Sequence, residues 1–237
     1  MDRFEHQNNS IIQSTRTEIQ NYMNQVYGWM TVGLFLTAFV SWYAINNTKI
    51  VLYLANNHWI SIFLVVLEFL LVLTLSFALS RMSPVLATSM FMLYSMLTGL
   101  TSSLILISYT SISVTGTFFI TSLTFLSLSV YGYLTKRDLS GFSIFLFMSI
   151  IGLIILSIVN VWFRSSGFSM FVSYCGILIF SALTAYDTQK LKEMGNKVDI
   201  YNNEDNMRKY AIFGALTLYL DFINLFFMFL RILGDRR

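Results

Sequence analysis

One cysteine and one proline in 237 residues remove two of the usual ways of organising a chain. A lone thiol, Cys175, forms no intrachain disulfide and no thiolate metal site, and its apolar neighbours suit a small buried side chain. A lone proline, Pro84, leaves long helices uninterrupted. Charge is the third scarcity: 11% of residues are charged, against 56% hydrophobic and 16% aromatic. So few charges do not cover a soluble surface. The formal net charge of +3 is a small excess spread over several loops, with no basic patch to hold a nucleic acid. No short apolar run followed by a small-residue cleavage site precedes the first long one, so a cleavable signal peptide is not expected and the first apolar run should remain as an anchor.

What the chain does have is uncharged length. No Asp, Glu, Lys or Arg occurs between Glu18 and Lys49, between Arg81 and Lys136, between Asp138 and Arg164, or between Arg164 and Asp187. A bilayer core of roughly 30 Å takes about 20 apolar residues as helix, so each gap holds at least one span. The stretch from 82 to 135 is about 80 Å of helix, two crossings with a short turn near Ile107–Ser111. The pattern predicts an all-α membrane protein with seven transmembrane helices at 26–46, 59–80, 84–107, 112–134, 142–163, 168–187 and 209–233. Residues 1–25 read as a polar N-terminal arm, either a short surface helix or a disordered segment, and 234–237 as a short tail. Pro84, just after Arg81-Met82-Ser83, should open a helix rather than break one.

Lys and Arg in the loops set the orientation. With the N-terminus in the cytoplasm, Arg3, Arg16, Arg81, Lys136, Arg137, Lys190, Lys192, Lys197, Arg208 and Lys209 lie inside, ten in all, against Lys49, Arg164, Arg231, Arg236 and Arg237 outside. The three arginines at the C-terminal end sit awkwardly for a helix that finishes outside. A re-entrant last segment is the alternative.

Ionisable groups within a bilayer cost on the order of 3 kcal/mol each on insertion scales, which makes those that remain functional candidates. Glu68 falls midway along the second span, Asp187 near the inner end of the sixth, and Asp221 within the seventh. Gly214, Thr217, Asp221, Asn224, Met228 and Arg231 recur at steps of three and four and share one helix face, a polar stripe that must face protein or water. Thr88, Ser95, Thr98 and Ser102 form a second stripe on the third span, the small-residue pattern of close helix packing. Asp187 and Asp221 end and enter neighbouring spans on the same side. If they approach, a second negative charge is opposed by repulsion and desolvation, and the two would share one proton.

Ala185-Tyr186-Asp187-Thr188-Gln189, followed by Gly214-Ala215-Leu216-Thr217-Leu218-Tyr219-Leu220-Asp221-Phe222-Ile223-Asn224-Leu225-Phe226, resembles the last two helices of the BAX inhibitor-1 family, in its bacterial inner-membrane branch. Gln25-Val26-Tyr27-Gly28-Trp29-Met30, Tyr94-Ser95-Met96-Leu97-Thr98-Gly99-Leu100 and Thr135-Lys136-Arg137-Asp138-Leu139-Ser140-Gly141 extend the resemblance over nearly the whole chain. It implies seven helices with the last one central, and a pH-sensitive calcium leak gated by a two-aspartate sensor at Asp187 and Asp221. It also implies a basic latch and an acidic pathway residue on the second helix, for which Arg81 and Glu68 are the nearest matches; Thr217 and Asn224 are further pathway candidates from the polar stripe. Some bacterial relatives bind and restrain a membrane protease, a role without ion flow. Eukaryotic relatives suppress cell death, which does not carry over to a bacterial chain.

Carboxylates suit a hard divalent ion such as Ca²⁺, but two acids supply far fewer than the six to eight oxygens of a tight site. Asp187 and Asp221 are therefore expected to meet Ca²⁺ weakly and transiently as a permeant ion, and no cofactor is expected. An intramembrane aspartyl protease would also use two carboxylates. Its second aspartate lies in a Gly-x-Gly-Asp turn, whereas Leu218-Tyr219-Leu220-Asp221 leaves the helix intact, and its Pro-Ala-Leu element is missing where Pro84 is followed by Val85. A retinal pump is excluded by the lack of a lysine within the seventh span. An enzyme is not expected.

Overall fold

The computed structural model describes the fold of residues 2–163, 165–196 and 204–237. Arg164 and Lys197, both counted in the charge balance, lie outside the described residues. Eight α-helices and no strand are present among them: α1 (Asp2–Asn46), α2 (Thr48–Asn56), α3 (His58–Phe77), α4 (Pro84–Leu106), α5 (Ser111–Leu134), α6 (Ser143–Phe163), α7 (Ser166–Met194) and α8 (Glu204–Leu233). All but α2 are long and apolar enough to cross a membrane, so the chain is an integral membrane protein with seven spans.

The ends of these helices follow from local chemistry. Pro84 is the first residue of α4, and the Ser83 hydroxyl accepts from the Leu86 amide at 3.3 Å, filling one donor that a helix start leaves open. Thr110 does the same for α5 by accepting from the Ser113 amide. Asn57 separates α2 from α3, its side-chain amide donating to the Tyr53 carbonyl at 2.8 Å. Two boundaries lie beyond the apolar runs: α7 continues past Asp187 to Met194 and α8 begins at Glu204. α1 runs back through the polar N-terminal text as continuous helix.

The chain forms two compact units. The first comprises Met1–Thr101 and Leu191–Leu216. Tyr22, Val26 and Met30 of α1, Phe91 and Tyr94 of α4, and Ala211, Ile212 and Ala215 of α8 make its buried interior. Here α1 and α4 meet through small residues. The Ser41 hydroxyl donates to the Gly99 carbonyl at 2.7 Å and the Thr37 hydroxyl to the Ser95 carbonyl at 2.8 Å. A methyl group at Gly99 would stand 2.7 Å from the Thr37 carbonyl oxygen. The hydroxyl stripe of the third span, Thr88, Ser95, Thr98 and Ser102, is buried throughout, as close helix packing in a membrane requires.

The second unit comprises Ser102–Lys190 and Thr217–Arg237. Phe222 of α8 stands edge-on between Phe118 and Phe125 of α5, with ring centroids 5.6 and 5.5 Å away. Leu146, Leu153, Val172, Phe180, Leu183 and Leu225 form the core of α6, α7 and α8. α8 contributes to both units, and 56% of its span is buried, more than in any other, which makes it the most enclosed helix of the seven.

The C-terminal tail resolves the awkward arginines. Asp235 O accepts from the Thr110 amide at 3.0 Å and the Arg237 amide donates to Ser108 O at 3.0 Å, while the Arg236 guanidinium lies 5.9 Å from the Tyr109 ring centroid. The tail is thus tied to the α4–α5 turn. A re-entrant last segment would end on the opposite side, beside the α5–α6 turn. The seventh span, Asp205–Leu233, is about 43 Å long and is sufficient for a full crossing. Reporters fused after Arg237 and inserted at Asn196 are therefore expected to lie in opposite compartments; finding both in the same compartment would overturn the full crossing.

Candidate functional site

Asp187 is held by the residues on either side of it. One turn before it on α7, the Thr184 hydroxyl bonds back to the Phe180 carbonyl at 2.8 Å, and that of Thr188 to the Thr184 carbonyl at 2.7 Å. Thr188 also meets the Ser129 hydroxyl of α5 at 3.3 Å. Gln189 spends both ends of its amide on the α5–α6 loop, accepting from the Leu139 amide and donating to the Arg137 carbonyl, each at 2.8 Å. Gly132 of α5 lies directly against the Ala185 backbone. These contacts fix the rotation of α7 and carry it as a helix beyond the end of its apolar run. In the same loop, hydrogen bonds from the Ser140 hydroxyl and backbone amide hold the exposed Asp138 carboxyl below the usual carboxylate range, so it stays ionised at the start of the turn.

Asp221 is set from the other side. Its neighbour Phe222 is locked against α5, and the Asp221 side chain is turned inward with 5% of its surface exposed. The Asp187 and Asp221 carboxyl groups face one another within hydrogen-bonding reach. Among the described residues no donor reaches Asp221 Oδ2. Two ionised carboxylates offer acceptors alone, so a hydrogen bond between them requires a proton on one.

Two cavities flank the pair. The larger, about 670 Å³, runs between α6, α7 and α8 and is lined by Asp187, Thr217, Asp221, Asn224 and Met228 together with Ser157 and apolar side chains. The stripe on α8 therefore faces this cavity from Thr217 to Met228, whereas Gly214 packs against Leu191, Val26 and Tyr22 in the first unit. The smaller cavity, about 450 Å³, is lined by Ser143, Tyr186, Asp187, Lys190 and neighbouring apolar residues. Ile150, Leu183 and Asp187 line both, so Asp187 belongs to the wall of each.

The remaining candidates, Arg81 and Glu68, belong to the first unit. Arg81 is exposed in the 3-10 turn Leu79–Arg81 of the first unit. The cation beside Asp187 within its own unit is Lys190, one turn along α7 and with its ammonium 5.7 Å from the Tyr186 ring centroid. A basic residue three positions after an acid on a helix was a readable pair, yet it was hidden among the loop charges used for orientation. Gln189 was part of the recognised text, but its tie to the loop needed the fold. Glu68 of α3 accepts from the Thr101 hydroxyl of α4 at 2.8 Å, close to Thr98 and Tyr94, and so forms a separate acidic centre within the first unit. Among the described residues no three His, Cys, Asp or Glu side chains gather as a metal site.

Replacing Glu68 by glutamine keeps an acceptor for Thr101. We expect Glu68→Gln to fold, to shift stability by under about 1.5 kcal/mol, and to leave the pH dependence of any flux unchanged. Thermal unfolding and flux across a pH series check this; a lost pH dependence would move the sensor to Glu68.

Seven apolar spans, with a facing carboxyl pair on the last two, define a membrane protein whose polar chemistry is concentrated inside the bilayer. Residues 19–237 match the family described as Inhibitor of apoptosis-promoting Bax1, and the chain belongs to this BAX inhibitor family. It is 52% identical to the inner membrane protein YbhL of Escherichia coli K12 over 237 residues, the full length of both chains. It is also 40% identical to an uncharacterized protein of Borreliella burgdorferi over 216 residues, 91% of this chain and 92% of the other. With an uncharacterized protein of Rickettsia prowazekii, RP147, it shares 37% identity over 220 residues, 92% and 91% of the two chains.

Proposed function

We propose that this protein is a pH-sensitive cation leak of the bacterial inner membrane, with Ca²⁺ as the permeant ion and Asp187 and Asp221 as its proton sensor. The observation that carries the proposal is the facing carboxyl pair, both members of which line the larger cavity between α6, α7 and α8, while Asp187 also lines the smaller one between α6 and α7. Each carboxylate is a hard oxygen donor suited to a divalent cation, and two of them bind it weakly enough to let it go. Thr217 and Asn224 extend the polar lining beyond the pair. One shared proton holds the two acids together; losing it places two negative charges face to face and favours their separation. That repulsion biases α7 against α8, the two-state element a pH gate needs. The ten-to-five balance of basic residues supports a cytoplasmic N-terminus.

The test uses the purified protein alone in sealed liposomes loaded with a Ca²⁺ indicator. Flux that scales with protein content and changes between about pH 6 and 8 is expected. Vesicles that stay tight at every pH, together with co-purification of a membrane protease, would replace the leak by a role in restraining proteolysis.

A further inference from the structure

The larger cavity has an interior that an inorganic ion does not account for. At about 670 Å³ it falls in the range of roughly 300–1,000 Å³ typical of sites for small organic molecules. Away from the aspartates much of its wall is hydrocarbon, with Leu153, Phe180, Leu220 and Met228 among its lining. On the α6 side Ile154 and Ile158 line the cavity and are each 52% exposed, on a helix that crosses the membrane, so the cavity borders the surface that meets lipid. Also lining it is Asp221, 95% buried by its 5% exposure, with no donor to its Oδ2 among the described residues. Among the described residues neither Lys nor Arg lines this cavity, and Lys190 lines the smaller one.

These features constrain what fits. A hydrated metal ion would satisfy the carboxylates but leave water against hydrocarbon walls. A lipid chain would cover the walls but leave the two aspartates that line the cavity facing hydrocarbon, a costly state for polar groups. A molecule that is cationic at one end and apolar along its length satisfies both. We propose that the larger cavity is a binding site for an amphipathic organic cation, an alkylammonium-type molecule that enters from the bilayer past Ile154 and Ile158 and sets its head group against Asp221 and Asp187. The two acids compensate the charge that leaves water, while α6, α7 and α8 enclose the hydrocarbon body. This site goes beyond the leak and does not depend on ion conduction.

Titration calorimetry on the full-length protein in an uncharged detergent tests it, with decylammonium as probe and decanol as its neutral counterpart. Saturable binding of the cation at about one per chain is expected, with decanol bound at least tenfold more weakly. Asp221→Asn should weaken the cation at least tenfold and leave decanol unaffected. Ile154→Trp, at a half-exposed position that does not touch the aspartates, should weaken it similarly by filling the mouth, and decides the matter if Asp221→Asn fails to fold. Equal binding of cation and decanol to the wild type, or wild-type affinity in the folded variants, would overturn the site. Ca²⁺ flux recorded on the wild-type preparation separates the two ideas: cation binding together with pH-dependent flux supports the site and leaves the leak standing, whereas cation binding without flux at any pH supports the site and removes the leak.

Discussion

Asparagine at Asp187 or at Asp221 is expected to abolish most of the pH response of Ca²⁺ flux while leaving the protein folded. The reason lies in the facing carboxyl groups. An amide has nearly the shape of a carboxyl group and brings an N–H donor to the place where the shared proton would sit. Each variant should therefore hold, at every pH, the flux that the wild type shows at the acid end of the series. A one-proton switch changes the ratio of its two states by at most about tenfold per pH unit, and the variants should retain no more than about a twofold change over the whole range from about pH 6 to 8. The double variant should add little to either single one, because both act on the same proton. Flux profiles of purified variants in liposomes provide the measurement. Wild-type profiles in both would show that the pair is not the sensor.

The second large effect concerns the support beneath Asp187. Gly132 lies against the Ala185 backbone so closely that an added methyl group would sit 3.0 Å from both the carbonyl carbon and the Cα of Ala185. The obstacle is backbone, so a side-chain rotation cannot relieve it. Gly132→Ala should force α5 away from α7 and lower stability by roughly 2 kcal/mol, within the usual cost of overpacking, and Gly132→Leu by more. Because Asp187 is two residues beyond Ala185, the folded fraction of Gly132→Ala should also show an altered pH profile. Gly152 in α6 is the control, since a methyl group there meets nothing within 4 Å. Gly152→Ala should unfold at or slightly above the wild-type temperature. Thermal unfolding in detergent distinguishes the two, and equal stabilities would remove the Gly132 contact from the account.

Much of this was legible before any coordinates. Spacing between charges located five of the seven spans because a helix has a fixed rise and a bilayer a fixed thickness, the second and seventh were read from their apolar runs around Glu68 and Asp221, and Pro84 marked the start of α4. The boundaries that departed from expectation are those where tertiary contacts take over from hydropathy. α7 extends to Met194 because Thr188 and Gln189, polar and outside the apolar run, are nevertheless buried with partners on α5 and its following loop. α2 escaped notice because nine residues of mixed character carry no span-length signal. Ile19, Tyr22 and Met23 sit in polar text, yet all are buried in the first unit, a consequence of packing against parts of the chain far away in sequence: the Tyr22 hydroxyl reaches the Tyr210 carbonyl at 3.3 Å.

The candidate site divides in the same way. The aspartates were readable because ionisable residues in apolar text are rare, and their surrounding residues resemble a family. That they face one another, that Gln189 ties α7 to the α5–α6 loop, and that Lys190 is the cation beside Asp187 all depend on helix rotation, which a period of 3.6 residues alone does not fix. The tail shows the limit of charge counting. Arg236 and Arg237 weighed against an outward C-terminus, but the structure gives them local partners in Tyr109, Ser108 and Ser111, contacts available only at the end of a complete crossing.

The central claim is that Asp187 and Asp221 hold one proton between them and release it in the working range. Infrared difference spectra of the purified protein, recorded between about pH 6 and 8 in the Glu68→Gln background to remove the half-buried carboxyl of α3, measure this directly through the carbonyl stretch of a protonated carboxyl group. The account predicts one such band that disappears as the pH rises and is lost when either aspartate is replaced by asparagine. A pair already fully ionised throughout that range, or a band that survives both replacements, would contradict it.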